Sequence, residues 1–129
     1  MSRAEASPGI FLSGVEPNVF HTNRTRVWDF APTRSGEELV VYASGLGPVD
    51  QQVSVGSPAP ASPVVKAVNV PAVRVGGQLA EVRSATLTPG AVGIYQVSFV
   101  VPNGLSGRVP LVLESGAVTS NSITIPVQP

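Results

Sequence analysis

Ile94-Tyr95-Gln96-Val97-Ser98-Phe99-Val100-Val101 runs into Pro102-Asn103-Gly104, Val109-Pro110-Leu111-Val112-Leu113 runs into Ser115-Gly116, and Asn121-Ser122-Ile123-Thr124-Ile125-Pro126-Val127 follows. This stretch decides the fold class. Valine, isoleucine, tyrosine, phenylalanine and threonine fit a pleated, half-buried surface, whereas Gly, Asn and Pro supply the backbone angles that turns need. Strand-like segments alternating with turn signals predict a three-strand meander and, with it, an all-β module.

Upstream, Val73-Arg74-Val75-Gly76-Gly77-Gln78-Leu79-Ala80-Glu81-Val82 reads as a hairpin turning at Gly76-Gly77, a pair that accepts positive φ. Thr88-Pro89-Gly90-Ala91 marks the next turn. In Glu37-Glu38-Leu39-Val40-Val41-Tyr42-Ala43-Ser44, alternation sets Leu39, Val41 and Ala43 on one face and Glu38, Val40 and Tyr42 on the other, until Gly45-Leu46-Gly47-Pro48 ends the strand. Residues 49–71 are rich in Pro, Ala, Ser and Val. Prolines spaced as in Ser57-Pro58-Ala59-Pro60-Ala61-Ser62-Pro63 do not suit a central strand, so an extended surface crossing between two sheets is expected there. In residues 19–30, one unbroken strand would place Arg24 and Arg26 on the same face as Phe20, Trp28 and Phe30. Two short extended pieces with a turn near Asn23 avoid that. No helical period is present, and sequential strands with one long crossover predict a two-sheet β-sandwich with Greek-key character.

A chain of 129 residues is one domain by length and can bury roughly two-thirds of the surface its unfolded form exposes. We expect a flexible N-terminal segment at 1–7 and a single sandwich domain at 8–129. Charged residues are only 12% and the formal net charge is zero, so the positive field that nucleic-acid binding needs is missing. The sequence contains no cysteine, which removes disulfides, thiolate metal sites and cysteine nucleophiles together. No run of 18 apolar residues occurs, so membrane insertion is not expected, and residues 1–7 lack the apolar core of a signal peptide.

For chemistry, His21 is the only histidine and no Gly-x-Ser-x-Gly elbow exists to present a serine, so His21 reads as a solvated loop residue. Glu37 and Glu38 are adjacent and point to opposite faces, while Asp29, Asp50, Glu81 and Glu114 are scattered, as solvent-face strand charges are. Asp50 follows a Gly-rich loop, but one carboxylate suits a turn cap better than calcium. No catalytic residue, metal or cofactor is expected. Pro60-Ala61-Ser62-Pro63 matches a proline-rich ligand only as such a crossing would. The sharpest candidate surface is Arg24, Arg26 and Trp28 with Tyr42 nearby, where an exposed aromatic beside guanidinium groups could stack a sugar ring. The simpler reading makes Trp28 the core tryptophan of the sandwich with the arginines along its rim.

Pro8-Gly9-Ile10-Phe11, Tyr42-Ala43-Ser44-Gly45-Leu46-Gly47-Pro48, the prolines from Pro58 to Pro63, Val75-Gly76-Gly77 with Ala80-Glu81-Val82, Pro89-Gly90-Ala91-Val92-Gly93-Ile94-Tyr95-Gln96-Val97, Val101-Pro102 and Ser120-Asn121-Ser122 occur in this order. Together they resemble the uncharacterised C-terminal domain family of Solibacter-type secreted acidobacterial proteins, and more loosely the IPT/TIG branch of immunoglobulin-like domains. The resemblance implies an immunoglobulin-like, IPT/TIG-like two-sheet sandwich acting as a non-catalytic structural or adhesive module, extracellular or on the cell surface. Implied partners are other domains of a longer polypeptide or copies of itself. Self-assembly would use the segment Pro8, Gly9, Ile10 and Phe11, which could add a strand to the next copy. The alternative is a glycan-binding module built on Trp28 and its Arg and Tyr neighbours, which requires Trp28 to be exposed.

Overall fold

A computed structural model describes residues 9–10, 12–13, 16–22, 25–28, 31–45, 65–67, 70–88, 90–91, 94–115 and 118–128. In chain order its strands are β1 (Gly9–Ile10), β2 (Leu12–Ser13), β3 (Glu16–Pro17), β4 (Val19–His21), β5 (Thr33–Arg34), β6 (Glu38–Ser44), β7 (Ala72–Val75), β8 (Gln78–Leu79), β9 (Glu81–Leu87), β10 (Tyr95–Val100), β11 (Gly107–Ser115), β12 (Val118–Thr119) and β13 (Ile123–Gln128). Among the described residues there is no helix.

The strands make two main sheets. In the first, β6 pairs with β10, and β10 with β9, while β1 and β4 lie end to end along the other side of β6. The second runs β5-β13-β11-β7-β8, with β12 also on β11; β5 meets β13 in parallel and the other pairs are antiparallel. A short β2–β3 pair stands apart.

Alternation explains why the sheets face each other. Leu39, Val41 and Ala43 of β6 and Tyr95, Val97 and Phe99 of β10 are buried, and so are Val73 and Val75 of β7, Val109, Leu111 and Leu113 of β11, and Ile123, Ile125 and Val127 of β13. All join one apolar cluster, the core of a β-sandwich. The expected face of residues 37–44 is the one observed. At the β7–β8 hairpin Gly76 and Gly77 take φ of 60° and 83°, the left-handed pair that a tight two-residue turn requires.

Three expectations change. The meander is split, because β10 pairs with β6 and β9 rather than with β11, and residues 101–106 carry the chain to the other sheet. Val101 is drawn to the corner before β6, where its N–H donates to Glu37 O (2.9 Å) and its carbonyl accepts from Gly36 N (2.8 Å). The surface crossing ends in the core: residues 65–67 line the edge of β9, with Ala67 N donating to Ala85 O (2.9 Å), Leu87 N donating to Val65 O (2.8 Å) and Val65 fully buried. His21 belongs to β4 and is largely shielded from water. The reading of residues 19–30 as two pieces agrees with the structure, since Phe20 bridges Arg26 and Val27 N donates to Val19 O (2.8 Å). Residues 1–8, Phe11, Asn23, Arg24, Asp29, Phe30, Asp50 and the Pro-rich run 57–63 lie outside the described residues.

Val65→Ala is expected to destabilise the protein by about 2 kcal/mol in urea unfolding, as truncation in a packed core does. Its exposed neighbour Lys66, changed to Ala, should shift stability by no more than about 0.5 kcal/mol.

Candidate functional site

Alternation that sends Val19, Leu39, Val41 and Val97 inward sends Phe20, Val40, Tyr42 and Gln96 to the outer face of the first sheet. Register then sets them side by side, Phe20 opposite Val40 and Tyr42 opposite Gln96. The Phe20 and Tyr42 rings meet edge to face, 5.7 Å apart at 77°. The Arg26 guanidinium carbon lies 5.0 Å from the Phe20 centroid, and Arg26 Nη1 donates to Asn18 Oδ1 (3.0 Å). Around these side chains opens a concavity of about 700 Å³ lined by Phe20, His21, Thr22, Val40, Tyr42, Thr88 and Gln96.

His21 fastens β4 to the β5–β6 corner. Its Nδ1 is paired with Glu37 Oε2 and its Nε2 faces Ala31 O at 2.8 Å. Glu37 Oε1 accepts from Thr33 Oγ1 (2.8 Å) and from Arg34 N (3.3 Å). Both partners of the ring are acceptors, so only the doubly protonated imidazolium satisfies both contacts. Burial pulls the His21 pKa down, but the hydrogen bonds from Glu37 and Ala31 and the Glu37 charge outweigh it and hold it above the ordinary 6.5.

Of the residues singled out by sequence, Arg26 and Tyr42 meet at one ring, Phe20. Trp28 is 46% exposed, so it is not the core tryptophan; Phe99 is the largest side chain wholly buried. Its backbone pairs with Ala31, N to O in both directions at 3.3 and 2.9 Å, in a tight reversal. Arg24 lies outside the described residues. In the segment Pro8 to Phe11, only Gly9 and Ile10 are described; they form β1 on β6. Ile10 N donates to Asn121 Oδ1 (2.8 Å) and Asn121 Nδ2 donates to Ile10 O (3.3 Å), so both backbone groups of Ile10 are held within the chain. Sequence reasoning missed Phe20, Val40, Thr88 and Gln96 as neighbours of Tyr42, and the His21–Glu37 pair. The alternation of residues 38–44 already put Val40 and Tyr42 on one face, but which strands flank them depends on pairing.

Residues 23–129 match the family described as the Structural protein 2 nucleoplasmin-like domain. No curated protein and no solved structure matches the chain. The family match overturns the resemblance to the Solibacter-type, IPT/TIG-like family. Described motifs behind that resemblance, such as the end of β6 and the Gly76-Gly77 turn, are strand and turn signals that any β-sandwich of similar layout needs, so they do not tell one family from another.

Because the folded-state pKa of His21 is raised, the stabilisation it gives is fully present below about pH 6.5 and is lost as pH rises through the folded value. Urea unfolding of the native chain and of His21→Gln should therefore differ by about 1 kcal/mol at pH 5.5, the scale of a partly solvated charge-assisted pair. The two should converge at pH 9.

Proposed function

This chain belongs to the Structural protein 2 nucleoplasmin-like domain family, and on that footing we propose that it is a non-catalytic structural module that assembles with copies of itself by pairing sheet edges. The observation that carries the reading is an open edge running from β8 into β9. Gln78, Leu79, Glu81, Arg83 and Ser84 are all exposed, Leu79 at 61%. β8 is the last strand of its sheet, and residues 65–67 meet the outer side of β9 only from Ala85 onward. Unpaired N–H and C=O groups on such an edge are a template for another strand.

The charges on this edge are self-complementary. Antiparallel pairing centred on Val82 places Glu81 of one copy opposite Arg83 of the other, and two-fold symmetry repeats the pair. Within one chain Arg83 Nη2 stands 3.7 Å from Glu81 Oε1 with both side chains more than half exposed, a weak pair that exchanges readily for the intermolecular one. A non-catalytic role is supported by His21, whose two ring nitrogens are both engaged, and by carboxylates spread over separate elements.

Light scattering across a concentration series should give a mass above the 13.2 kDa of one chain. Arg83→Glu should return the protein to a monomer, and Glu81→Arg combined with Arg83→Glu should restore the assembly by swapping the charges. A native chain that stays monomeric at every concentration overturns self-assembly, and an assembly insensitive to both variants overturns this edge as its seam.

A further inference from the structure

We propose that the concavity on the outer face of the first sheet is a binding site for a neutral sugar ring, a function separate from assembly because it occupies a sheet face rather than an edge. Its volume of about 700 Å³ falls in the range of small-molecule sites. Three polar groups converge there without partners: the Thr88 hydroxyl is buried and unbonded, and no described hydrogen bond engages the Tyr42 hydroxyl or the Gln96 amide. A buried hydroxyl left unpaired is costly, and the arrangement makes chemical sense once a ligand supplies the partner.

The lining specifies that ligand. Phe20, Tyr42 and Val40 offer apolar surface, while Thr88, Tyr42 and Gln96 carry groups that both donate and accept. A pyranose has the matching character, with apolar C–H faces and a rim of hydroxyls that do the same. Charge argues for a neutral sugar: no carboxylate lines the concavity among the described residues, and the His21 charge is met by Glu37. A peptide fits less well. The walls come from the face of β6 and β10, each already paired on both sides, so no free backbone is available to pair with a peptide's own N–H and C=O groups.

The test uses the full chain labelled with nitrogen-15, titrated with methyl glucoside, methyl galactoside, methyl mannoside, N-acetylglucosamine and the linear tetrasaccharides of each, up to on the order of 10 mM, where weak single-ring sites still register. At least one sugar should shift amide signals of Phe20, Tyr42, Thr88 and Gln96. Tyr42→Ala should weaken that binding about tenfold or more, as loss of a contact aromatic does. Thr88→Val is the decisive variant, since it removes the unpaired hydroxyl at nearly constant shape. It should leave the unfolding temperature unchanged or raised while weakening the sugar about 3- to 10-fold, the effect of one hydrogen bond. Absence of shifts with every sugar overturns the proposal. So does a Thr88→Val chain that binds as the native one does, or a proline-rich peptide that shifts these residues where no sugar does.

Discussion

The register between β6 and β10 is the constraint on which the rest of the structure depends. Val41 opposite Val97 and Leu39 opposite Phe99 build the centre of the core, and the same pleat places Tyr42 beside Gln96 on the other side. A slip of one residue would turn Leu39, Val41 and Ala43 outward and bring Glu38, Val40 and Tyr42 in. The core and the candidate ligand site are therefore two consequences of one pairing. Neither can be altered at these strands without disturbing the other.

The second determinant is the passage of the chain from one sheet to the other. After the Gly76-Gly77 turn, Gln78 and Leu79 pair with β7, and by Glu81 the chain has joined β10. Ala80 marks the change, its N–H still bonded to Val73 O at 2.8 Å. A register shift at Arg83 adds a bulge to β9. One stretch thus borders both sheets, which is why the exposed edge is continuous and why assembly and ligand binding fall on different surfaces.

What the sequence made legible was local. The alternation of residues 37–44, the Gly-Gly turn, the two-piece reading of residues 19–30 and the all-β class follow from side-chain period and backbone freedom, which neighbouring residues determine. Pairing was not legible. Val101-Pro102-Asn103-Gly104 marks the end of a strand equally well whether the next strand lies beside it or across the core, so the meander was a natural misreading. Trp28 illustrates a different limit: a large aromatic is usually buried, yet here the tight pairing with Ala31 leaves it at the surface. Val65 is the reverse case, a core residue behind a run of prolines.

His21 and Glu37 join these two levels. β4 is three residues long and contributes Phe20 to the candidate site, while the next residue, His21, is fastened to the β5–β6 corner. So short a strand has few ladder bonds to fix it against β6, and an ion pair at its end carries a large share of that work. The wall formed by Phe20, with Arg26 stacked over it, is then only as rigid as the His21 contact. Loss of the ring proton removes a donor from either Glu37 or Ala31, and the strand that loosens is the one bearing that wall. The electrostatics of the corner thereby reach the sheet face through a single peptide unit.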